Sequence, residues 1–261
     1  MDSQTQTLSA RESSLPTIAA VHTSSIENGG FETGDFRNWN TIGDTSIETH
    51  DLGIFPPEGT YQALITNGYS DAGGSVIDSD LEEFLDLTPG SLDHLVHGDA
   101  TEGSFIKQTF TVEAGDVVSF DWNFLTNEAT PSTTFNDTAF LTLNGFAYEL
   151  ADTGAHFVHA NHVDEFEEQT GTQSLEFTIQ TAGTYTIGFG VVDVGDDIVD
   201  SGLVIDNIAV EQPHHGISSH GINSDPSLTF GEDGFTTLTD SSSVIDGDPG
   251  LVFGGNGFEI V

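Results

Sequence analysis

An alternation of apolar and polar residues with a period of two runs through much of the chain. Within residues 119–125 the aromatic residues take every second position, and Asp121 and Asn123 stand between them. Residues 184–191 alternate in the same way. This period is typical of a strand with one buried face. Further strands are predicted at residues 61–66, 104–112, 139–143, 174–180 and 203–210, between clusters of Gly, Asn and Asp.

An Ala-Gly pair recurs before each of the two alternating strands. One pair stands at residues 114–115 and the other at residues 182–183, each after a short β-type run. We expect each copy to form a hairpin, in which an Ala-Gly turn joins two strands of one antiparallel sandwich. Two copies are too few for a solenoid, which needs about three or more stacked repeats.

The composition divides the chain into three parts. Residues 1–25 are polar around one apolar patch and are predicted to form an N-terminal arm, whereas residues 26–212 carry the predicted strands of an all-β, antiparallel sandwich. Residues 213–261 are rich in Gly, Ser and Asp and predict a small β-rich C-terminal extension. One short helix is predicted in the sandwich, because Ser79 and Glu82 have the spacing of a capping box ahead of Pro89-Gly90.

The chain carries a formal net charge of −40, because 43 Asp and Glu residues face only three basic residues. Carboxylates that lie close together raise each other's pKa or need a cation, and three basic side chains cannot neutralise them. Calcium fits best, since it accepts carboxylate, amide and backbone carbonyl oxygens in flexible geometry. The alternative is a solvated acidic coat of the kind that suits high salt.

The charge also excludes partners. No basic stripe is present to release counterions from a nucleic acid, and an anionic membrane would repel the surface. The N-terminal residues lack a basic segment followed by a long apolar one, so we expect neither an N-terminal export signal nor insertion into a membrane. The chain has no cysteine and hence no disulfide, while its 36 % hydrophobic residues suffice for a packed core.

Residues 28–36, with the sequence Asn-Gly-Gly-Phe-Glu-Thr-Gly-Asp-Phe, resemble the opening of jelly-roll modules of the carbohydrate-binding type. Residues 205–208, Ile-Asp-Asn-Ile, resemble the closing strand of those modules. The resemblance implies a jelly-roll topology for the sandwich. It also implies that Glu32 and Asp206 share a structural calcium between the first and last strands, and it adds Asp35 of the opening motif to the candidate ligands.

The middle of the chain is similar to a β-sandwich domain of cyanobacterial and proteobacterial surface or secreted proteins. With the opening and closing motifs, this similarity covers about residues 26–212, and its motifs are residues 100–104, 106–110, 114–116, 120–128, 136–137 and 192–196. It implies an extracellular location and transfers no activity. The last eight residues resemble half a glycine-rich calcium-binding repeat and the ending of type I secretion cargo. We therefore expect export that depends on the C-terminus.

Two oxygen-rich groups are candidate sites for further calcium ions. The first lies in a strand end and its loop and comprises Asp193, Asp196, Asp197 and Asp200. The second flanks the strand of residues 119–125 and comprises Asp121, Asn127, Glu128, Asn136 and Asp137. The alternative for any single residue is an Asx turn, in which the side chain bonds to its own backbone. Like charges at this density favour metal binding for the set.

The ten histidines include two groups with a spacing of three residues. These groups are His156, His159 and His162, and His94 and His97. Such spacing in a loop fits a tetrahedral zinc site poorly, so we expect solvated loop histidines. Nucleophile elbow, phosphate-loop and HExxH motifs do not occur, and we expect no enzymatic activity.

Glycan platforms need exposed aromatic rings. Trp39 and Trp122 are expected in the core, so Tyr61, Tyr69 and Tyr148 remain as stacking candidates. The first expected function is a secreted, calcium-stabilised structural protein of the bacterial surface or extracellular matrix. Such a protein would self-associate, with the arm adding a strand to a neighbour's sheet edge, unless the arm folds back as an edge strand of its own sandwich. The alternative is a carbohydrate-binding module that binds extracellular polysaccharide.

Overall fold

The computed structural model describes residues 25–68, 74–163, 165–195 and 197–212, together with four strands of the C-terminal extension. The predicted arm lies outside the described residues except for Ser25, and so do Tyr69 and Asp196. None of the described helices is long and apolar enough to cross a membrane.

Strands dominate the described chain. The first eight are β1 (Asn40–Ile42), β2 (Asp44–Glu48), β3 (Gln62–Thr66), β4 (Val76–Ile77), β5 (Ala100–Val112), β6 (Val117–Thr126), β7 (Thr138–Leu143) and β8 (Phe146–Asp152). The others are β9 (Val158–His159), β10 (Glu168–Gln169), β11 (Gln173–Ile179), β12 (Gly183–Val194), β13 (Ser201–Glu211), β14 (Leu228–Gly231), β15 (Gly234–Thr237), β16 (Leu251–Gly254) and β17 (Gly257–Ile260). Two helices, α1 (Asp78–Phe84) and α2 (Ser91–Leu95), separate β4 from β5, and a 3₁₀ helix spans His50–Leu52.

The strands form two facing sheets. Sheet I has the order β1-β5-β12-β7-β8, with β4 also paired to β5. Sheet II has the order β15-β14-β11-β6-β13-β3-β2, with β10 paired to β6 and β9 to β10. Apart from the parallel pair of β11 and β14, the strands within both sheets pair in antiparallel fashion. The long strands alternate between the sheets along the chain, which is the jelly-roll arrangement, so the predicted antiparallel sandwich is confirmed.

The two Ala-Gly pairs do not close hairpins. Residues 114–115 lead from β5 in sheet I to β6 in sheet II, and residues 182–183 lead from β11 in sheet II to β12 in sheet I. The prediction of hairpins is therefore wrong, because each turn passes across the core from one sheet to the other. The two turns lie side by side, since the N–H of Gly115 donates to the carbonyl oxygen of Ile179 at 2.7 Å.

The core fills the space between the inner faces of the two sheets. Phe120 and Trp122 of β6 face this core, as the alternation predicts, and the ring of Phe189 in β12 lies 4.7 Å from that of Phe120. Trp39 is buried as well, and its indole N–H donates to the carbonyl oxygen of Asn28. Burial of large aromatic rings is a main stabilising contribution in such a sandwich.

Short segments cover part of each outer face. Both helices pack on the outer face of sheet I, around Phe105, whose ring lies against Gly188 and Gly190 of β12. A Cβ at Gly188 would lie 2.1 Å from this ring, so only glycine fits. On sheet II two loops bury a smaller cluster, which comprises Leu52, Ile54, Leu64, Leu125, Ala160, Val163, Phe166 and Val204.

The capping box predicted for the helix is wrong. The residue before α1 is Ile77, whose side chain makes no cap hydrogen bond. Glu82 instead accepts hydrogen bonds from the N–H groups of Gly90 and Leu92, both at 2.9 Å. These donors lie at the start of α2, a second helix that the sequence pattern did not predict. The carboxylate of Glu82 in α1 therefore satisfies free N–H groups at the start of α2.

The strands of the C-terminal extension form two hairpins. β14 pairs with β15 and also runs parallel to β11, so the first hairpin extends sheet II. β16 and β17 pair with each other in a separate two-stranded sheet. The extension thus protects the edge of β11 from pairing with another chain.

Replacing Glu82 should separate its capping role from a general charge effect. Glu82→Ala should lower the free energy of unfolding by about 1–3 kcal/mol, because two N–H groups lose a buried charged acceptor. The control Glu83→Ala removes an exposed carboxylate from the same helix and should change it by less than about 0.5 kcal/mol. Denaturant unfolding measures both values, and equal effects of the two substitutions would show that Glu82 does not cap α2.

Candidate functional site

The opening motif forms a tight turn that is anchored on the core. Asn28 and Phe31 adopt left-handed backbone conformations, with φ values of 54° and 55°. The ring of Phe31 is fully buried, 5.6 Å from that of Trp39, and the amide of Asn28 donates to the carbonyl oxygen of Asp35. Because Phe31 is held in the core, the next side chain, that of Glu32, is directed away from it.

Glu32 binds the backbone of a second segment. Its Oε1 accepts hydrogen bonds from the N–H groups of Thr60 at 2.7 Å and Tyr61 at 2.8 Å. Gly59 makes this approach possible, since its φ is +59° and a Cβ there would lie 2.2 Å from the carboxyl carbon of Glu32. A side chain at Gly59 would therefore displace the carboxylate.

Asp206 of β13 joins the same region from the closing motif. Its Oδ2 accepts from the N–H of Glu58 at 3.0 Å, and its Oδ1 accepts from the N–H of Asn207 at 2.7 Å. A Cβ at Gly30 would lie 2.0 Å from Oε2 of Glu58 and 3.7 Å from Oδ1 of Asp206, so these carboxylates face one small space. The opening and closing motifs thus meet, and we call Glu32, Glu58 and Asp206 the Glu32 cluster.

The Glu32 cluster lacks a compensating positive charge from the described basic residues. Burial above all raises the pKa of Asp206 to about 7, and the charges of Glu58 and Glu32 act in the same direction. Arg37 forms its ion pair with Asp35, and Lys107 forms its own with Asp86. A cation would relieve this repulsion between carboxylates.

The donor set of the cluster fits calcium in its chemistry. Carboxylate oxygens beside glycine backbone are hard ligands of the type that calcium accepts. Across the described residues, no three His, Asp or Glu side chains are grouped so that they could hold a metal ion between them. A calcium ion at the Glu32 cluster would therefore need backbone carbonyl oxygens among its ligands. Glu58 carries no sequence signal of its own, because a single acidic residue in a Pro- and Gly-rich loop is common.

The predicted second group is divided by the fold. Asp137 is fully buried, and its Oδ2 accepts from the hydroxyl of Ser201 at 2.6 Å and the amide of Asn67 at 3.1 Å. Its Oδ1 accepts from the N–H of Val194 at 3.2 Å. Burial raises the pKa of Asp137 to about 6, and the charge of Glu128 acts in the same direction. Hydrogen bonds within the protein thus satisfy both oxygens of Asp137.

Further carboxylates lie close to Asp137 or in the loop beside it. Asp193 is buried near the end of β12, and Asp200 is partly buried at the end of the following loop. Burial raises the pKa of Asp200, and the nearby charge of Asp44 adds to the effect. Asp44, which the sequence did not single out, is buried and accepts from the hydroxyl of Thr66 at 2.6 Å.

Two other predicted ligands lie apart from the Asp137 group. Asp121 pairs with Asp206 in the sheet register and lies five residues, or about 17 Å, before the end of β6. Its carboxylate accepts hydrogen bonds from the side chains of Ser174 and Asn207. Asp35 is exposed, and hydrogen bonds from the Thr33 hydroxyl and the Arg37 backbone lower its pKa.

A cleft of about 390 Å³ opens beside Asp137. The polar residues that line it include His97, Asp99, Ser132, Thr133, Asn136 and Asp152, and we call it the end cleft. The amide of Asn136 donates to Oδ2 of Asp152 at 2.9 Å, and the hydroxyl of Thr153 donates to Oδ1 of Asn136 at 2.9 Å. These hydrogen bonds hold the side chains in place, so Asn136 lies in this cleft and outside the Asp137 group.

Among the residues that the structure describes, the most exposed aromatic rings are phenylalanines. Phe55 is 79 % exposed and stacks on His50 with ring centroids 6.2 Å apart, while Phe146 is 65 % exposed at the start of β8. Tyr61 and Tyr148, two of the predicted stacking residues, are partly buried against the core. The spaced histidines of residues 156–162 are exposed.

No protein-family model matches the chain, and no curated protein matches it. Several solved carbohydrate-binding modules are similar in fold. CBM27-1 of Caldicellulosiruptor saccharolyticus in complex with mannohexaose is 14 % identical over 72 % of this chain and 97 % of that chain, with a TM-score of 0.41. TmCBM61 in complex with β-1,4-galactotriose is also 14 % identical, over 72 % of this chain and 97 % of that chain, with a TM-score of 0.38. CBM28, specific for non-crystalline cellulose, is 13 % identical over 71 % and 93 %, with a TM-score of 0.34.

These structures are jelly-roll sandwiches of the class that the opening and closing motifs resemble. At identities of 13–14 % the likeness concerns the fold alone. What each module binds is a property of that module, and the chemistry of this chain has to be argued from its own residues.

The raised pKa of Glu149 in β8 predicts how stability changes with pH. Burial, and then the charge of Asp152, raise the pKa of Glu149 from 4.5 to about 7. The folded state therefore keeps a proton that the unfolded chain loses, so the free energy of unfolding should fall as pH rises from about 4.5 to about 7. Glu149→Gln should reduce this fall, which denaturant unfolding in calcium-free buffer measures across that range.

The exposed Glu176 provides the matched control for this measurement. Glu176→Gln removes one carboxylate of the same type. Its free energy of unfolding should depend on pH as that of the unchanged protein does. An identical slope for Glu149→Gln and the unchanged protein would mean that Glu149 ionises near its ordinary pKa.

Proposed function

We propose that this protein is an extracellular carbohydrate-binding β-sandwich that calcium stabilises. The end cleft is the observation that supports the binding role. Its volume of about 390 Å³ falls within the range of roughly 300–1,000 Å³ that is usual for small-ligand sites. Asn136 and Asp152 are held by hydrogen bonds before any ligand arrives, which lowers the entropic cost of binding.

The chemistry of the end cleft favours a neutral ligand with many hydroxyl groups. Carboxylates accept hydrogen bonds, whereas the hydroxyls of Ser132 and Thr133 and the amide of Asn136 both donate and accept. Sugar hydroxyls match this mixture. Asp99, Asp152 and the net charge of −40 disfavour phosphates and acidic polysaccharides. The proposed ligand is therefore a neutral glycan.

Blocking the end cleft tests this function. Thr133 is exposed and lines the cleft, so Thr133→Trp should fill the cleft and leave the fold intact. We expect it to weaken binding of a neutral oligosaccharide by tenfold or more, about 1.4 kcal/mol, in isothermal titration calorimetry. The ligand is first chosen by screening the unchanged protein against neutral glycans.

Two control substitutions locate the site. Thr181→Trp adds the same ring at an exposed threonine outside the cleft and should leave binding unchanged. Phe55→Ala removes the most exposed of the described aromatic rings. A loss of binding with this variant alone would move the glycan site to the surface around Phe55 and His50. If none of the neutral glycans binds the unchanged protein, the proposed function is wrong.

The Glu32 cluster supports the calcium part of the proposal. Its three carboxylates come from the opening turn, from the loop before β3 and from β13, so a bound calcium would connect segments that are distant in sequence. The ion would neutralise the charge of the carboxylates, and the hydrogen bonds of Glu32 and Asp206 would hold the segments in place. Glu32 and Asp206 are then the ligands that the resemblance to carbohydrate-binding modules implied. Backbone carbonyl oxygens would supply the other ligands, and Glu58 adds a nearby negative charge.

Calcium removal tests the role of the cluster. A ligand that binds only the folded state at a hundredfold excess over Kd adds about 2.7 kcal/mol, so EDTA should lower the melting temperature at fixed ionic strength. Glu32→Gln should abolish this difference, whereas Asp35→Asn in the same motif should retain it, because Asp35 is exposed and paired with Arg37. If sodium chloride raised the melting temperature as much as calcium does, the result would instead favour a salt-adapted acidic coat.

The other function expected from the sequence is a self-assembling structural protein of the cell surface. Both functions are compatible with an extracellular location and with export that depends on residues 213–261. Self-assembly requires a contact between copies, and the end cleft and the Glu32 cluster provide no strand edge for such a contact.

A further inference from the structure

β5 is paired along its whole length on one side only. Residues 100–112 pair with β12 on that side, apart from one irregularity in register. On the other side β1 pairs with residues 105–107 and β4 with residues 102–103. No strand among the described residues pairs with residues 108–112 there. We call this stretch the open edge of β5.

The open edge lacks the features that protect edge strands. Its sequence is Gln-Thr-Phe-Thr-Val, without charge or proline. The edge strands β2 and β8, by contrast, carry Asp44 and Glu48, and Glu149 and Asp152. Charges on edge strands discourage pairing with another chain. In a protein with a net charge of −40, residues 108–112 themselves carry no charge that would repel another strand.

A groove of about 570 Å³ runs beside the open edge. Ser25, Glu27 and Asn38 line it together with residues 108–111 and Thr184. The side-chain amide of Gln108 exchanges two hydrogen bonds, both 2.8 Å, with the backbone of Glu27. The chain therefore enters the sandwich at this groove, with Ile26 packed against the core.

We propose that the open edge of β5 binds residues 15–21 from the N-terminal arm of a second copy of this chain. These residues are Leu-Pro-Thr-Ile-Ala-Ala-Val, and residues 17–21 after the proline match the open edge in length. Proline is tolerated at the start of an added strand, where its missing N–H is not needed. The first 24 residues contain only Asp2, Arg11 and Glu12 as charged residues, so the arm approaches the acidic sandwich with little repulsion.

The position of Ser25 favours a second copy over the same chain. Ser25 and Glu27 line the groove beside the open edge. Only three residues separate Ser25 from residues 15–21, so residues 15–21 of the same chain could pair with this edge only if the chain reversed its direction within those three residues. Donation to a neighbour has no such limit. Repeated from copy to copy, it gives a head-to-tail fibre.

Cross-linking with introduced cysteines tests the proposal, since the chain has none of its own. One protein carries Ala19→Cys and a second carries Thr111→Cys, at an exposed position on the open edge. The two are mixed with a bis-maleimide at high salt, which screens repulsion between copies. We expect a cross-linked heterodimer in several-fold excess over the control pair, in which Glu176→Cys on sheet II replaces Thr111→Cys.

Each result decides between the possible occupants of the open edge. A heterodimer yield no higher than that of the Glu176→Cys control overturns the proposal. If the doubly substituted chain, Ala19→Cys with Thr111→Cys, forms only an internal cross-link at high dilution and the mixture gives no heterodimer, the chain's own arm fills the edge, and donation is overturned.

Light scattering of full-length variants gives an independent measurement. Ile18→Pro should reduce the size of the assemblies, because proline removes a backbone donor within the paired segment. Thr5→Pro in the polar part of the arm should not reduce it. Equal effects, or none from either substitution, would contradict strand donation by residues 15–21. The Thr133→Trp test of glycan binding is independent of these measurements, since Thr133 lies in the end cleft and not at the open edge.

Discussion

Buried negative charge is the constraint on which the rest of this structure depends. Asp44, Asp137 and Asp206 are all buried, while Arg37 and Lys107 form their ion pairs with Asp35 and Asp86. Leaving a carboxylate unpaired in the interior is costly, so each has to be stabilised by hydrogen bonds, a bound proton or a cation. The sandwich uses backbone N–H groups, hydroxyls and amides for this purpose, and the calcium ion that we propose at the Glu32 cluster would add a cation.

The jelly-roll topology determines where these carboxylates meet. Because the long strands alternate between the two sheets, the opening turn reaches β13, although some 170 residues separate Glu32 from Asp206. Asp206 and Ser201 lie on the same strand, five residues or about 17 Å apart. Ser201 binds Asp137, so one strand connects the Glu32 cluster to the region of the end cleft. A cation at the first position can therefore support the second through β13.

The proposed glycan site and the proposed site of association lie in separate parts of the molecule. The end cleft is built from segments around β7, β8 and the end of β12, whereas the open edge belongs to β5. A glycan-binding surface that stays accessible while the edge takes a strand would allow an assembled protein to hold polysaccharide at many points. Multivalent binding of this kind raises avidity without any new contact in the individual sites.

The strands and the core aromatic residues were predictable from the sequence, because period-2 alternation is local and directly reflects one buried face, as in β6. The motifs that contain Glu32 and Asp206 were also recognisable. Glu58 and Asp44 were not, since a single carboxylate in a turn or at a strand end has no pattern that marks it as part of a carboxylate cluster. The Ala-Gly turns and the role of Glu82 were predicted wrongly for a related reason. Which sheet a strand joins, and which helix a carboxylate caps, depends on contacts between distant segments, and only the tertiary structure decides those.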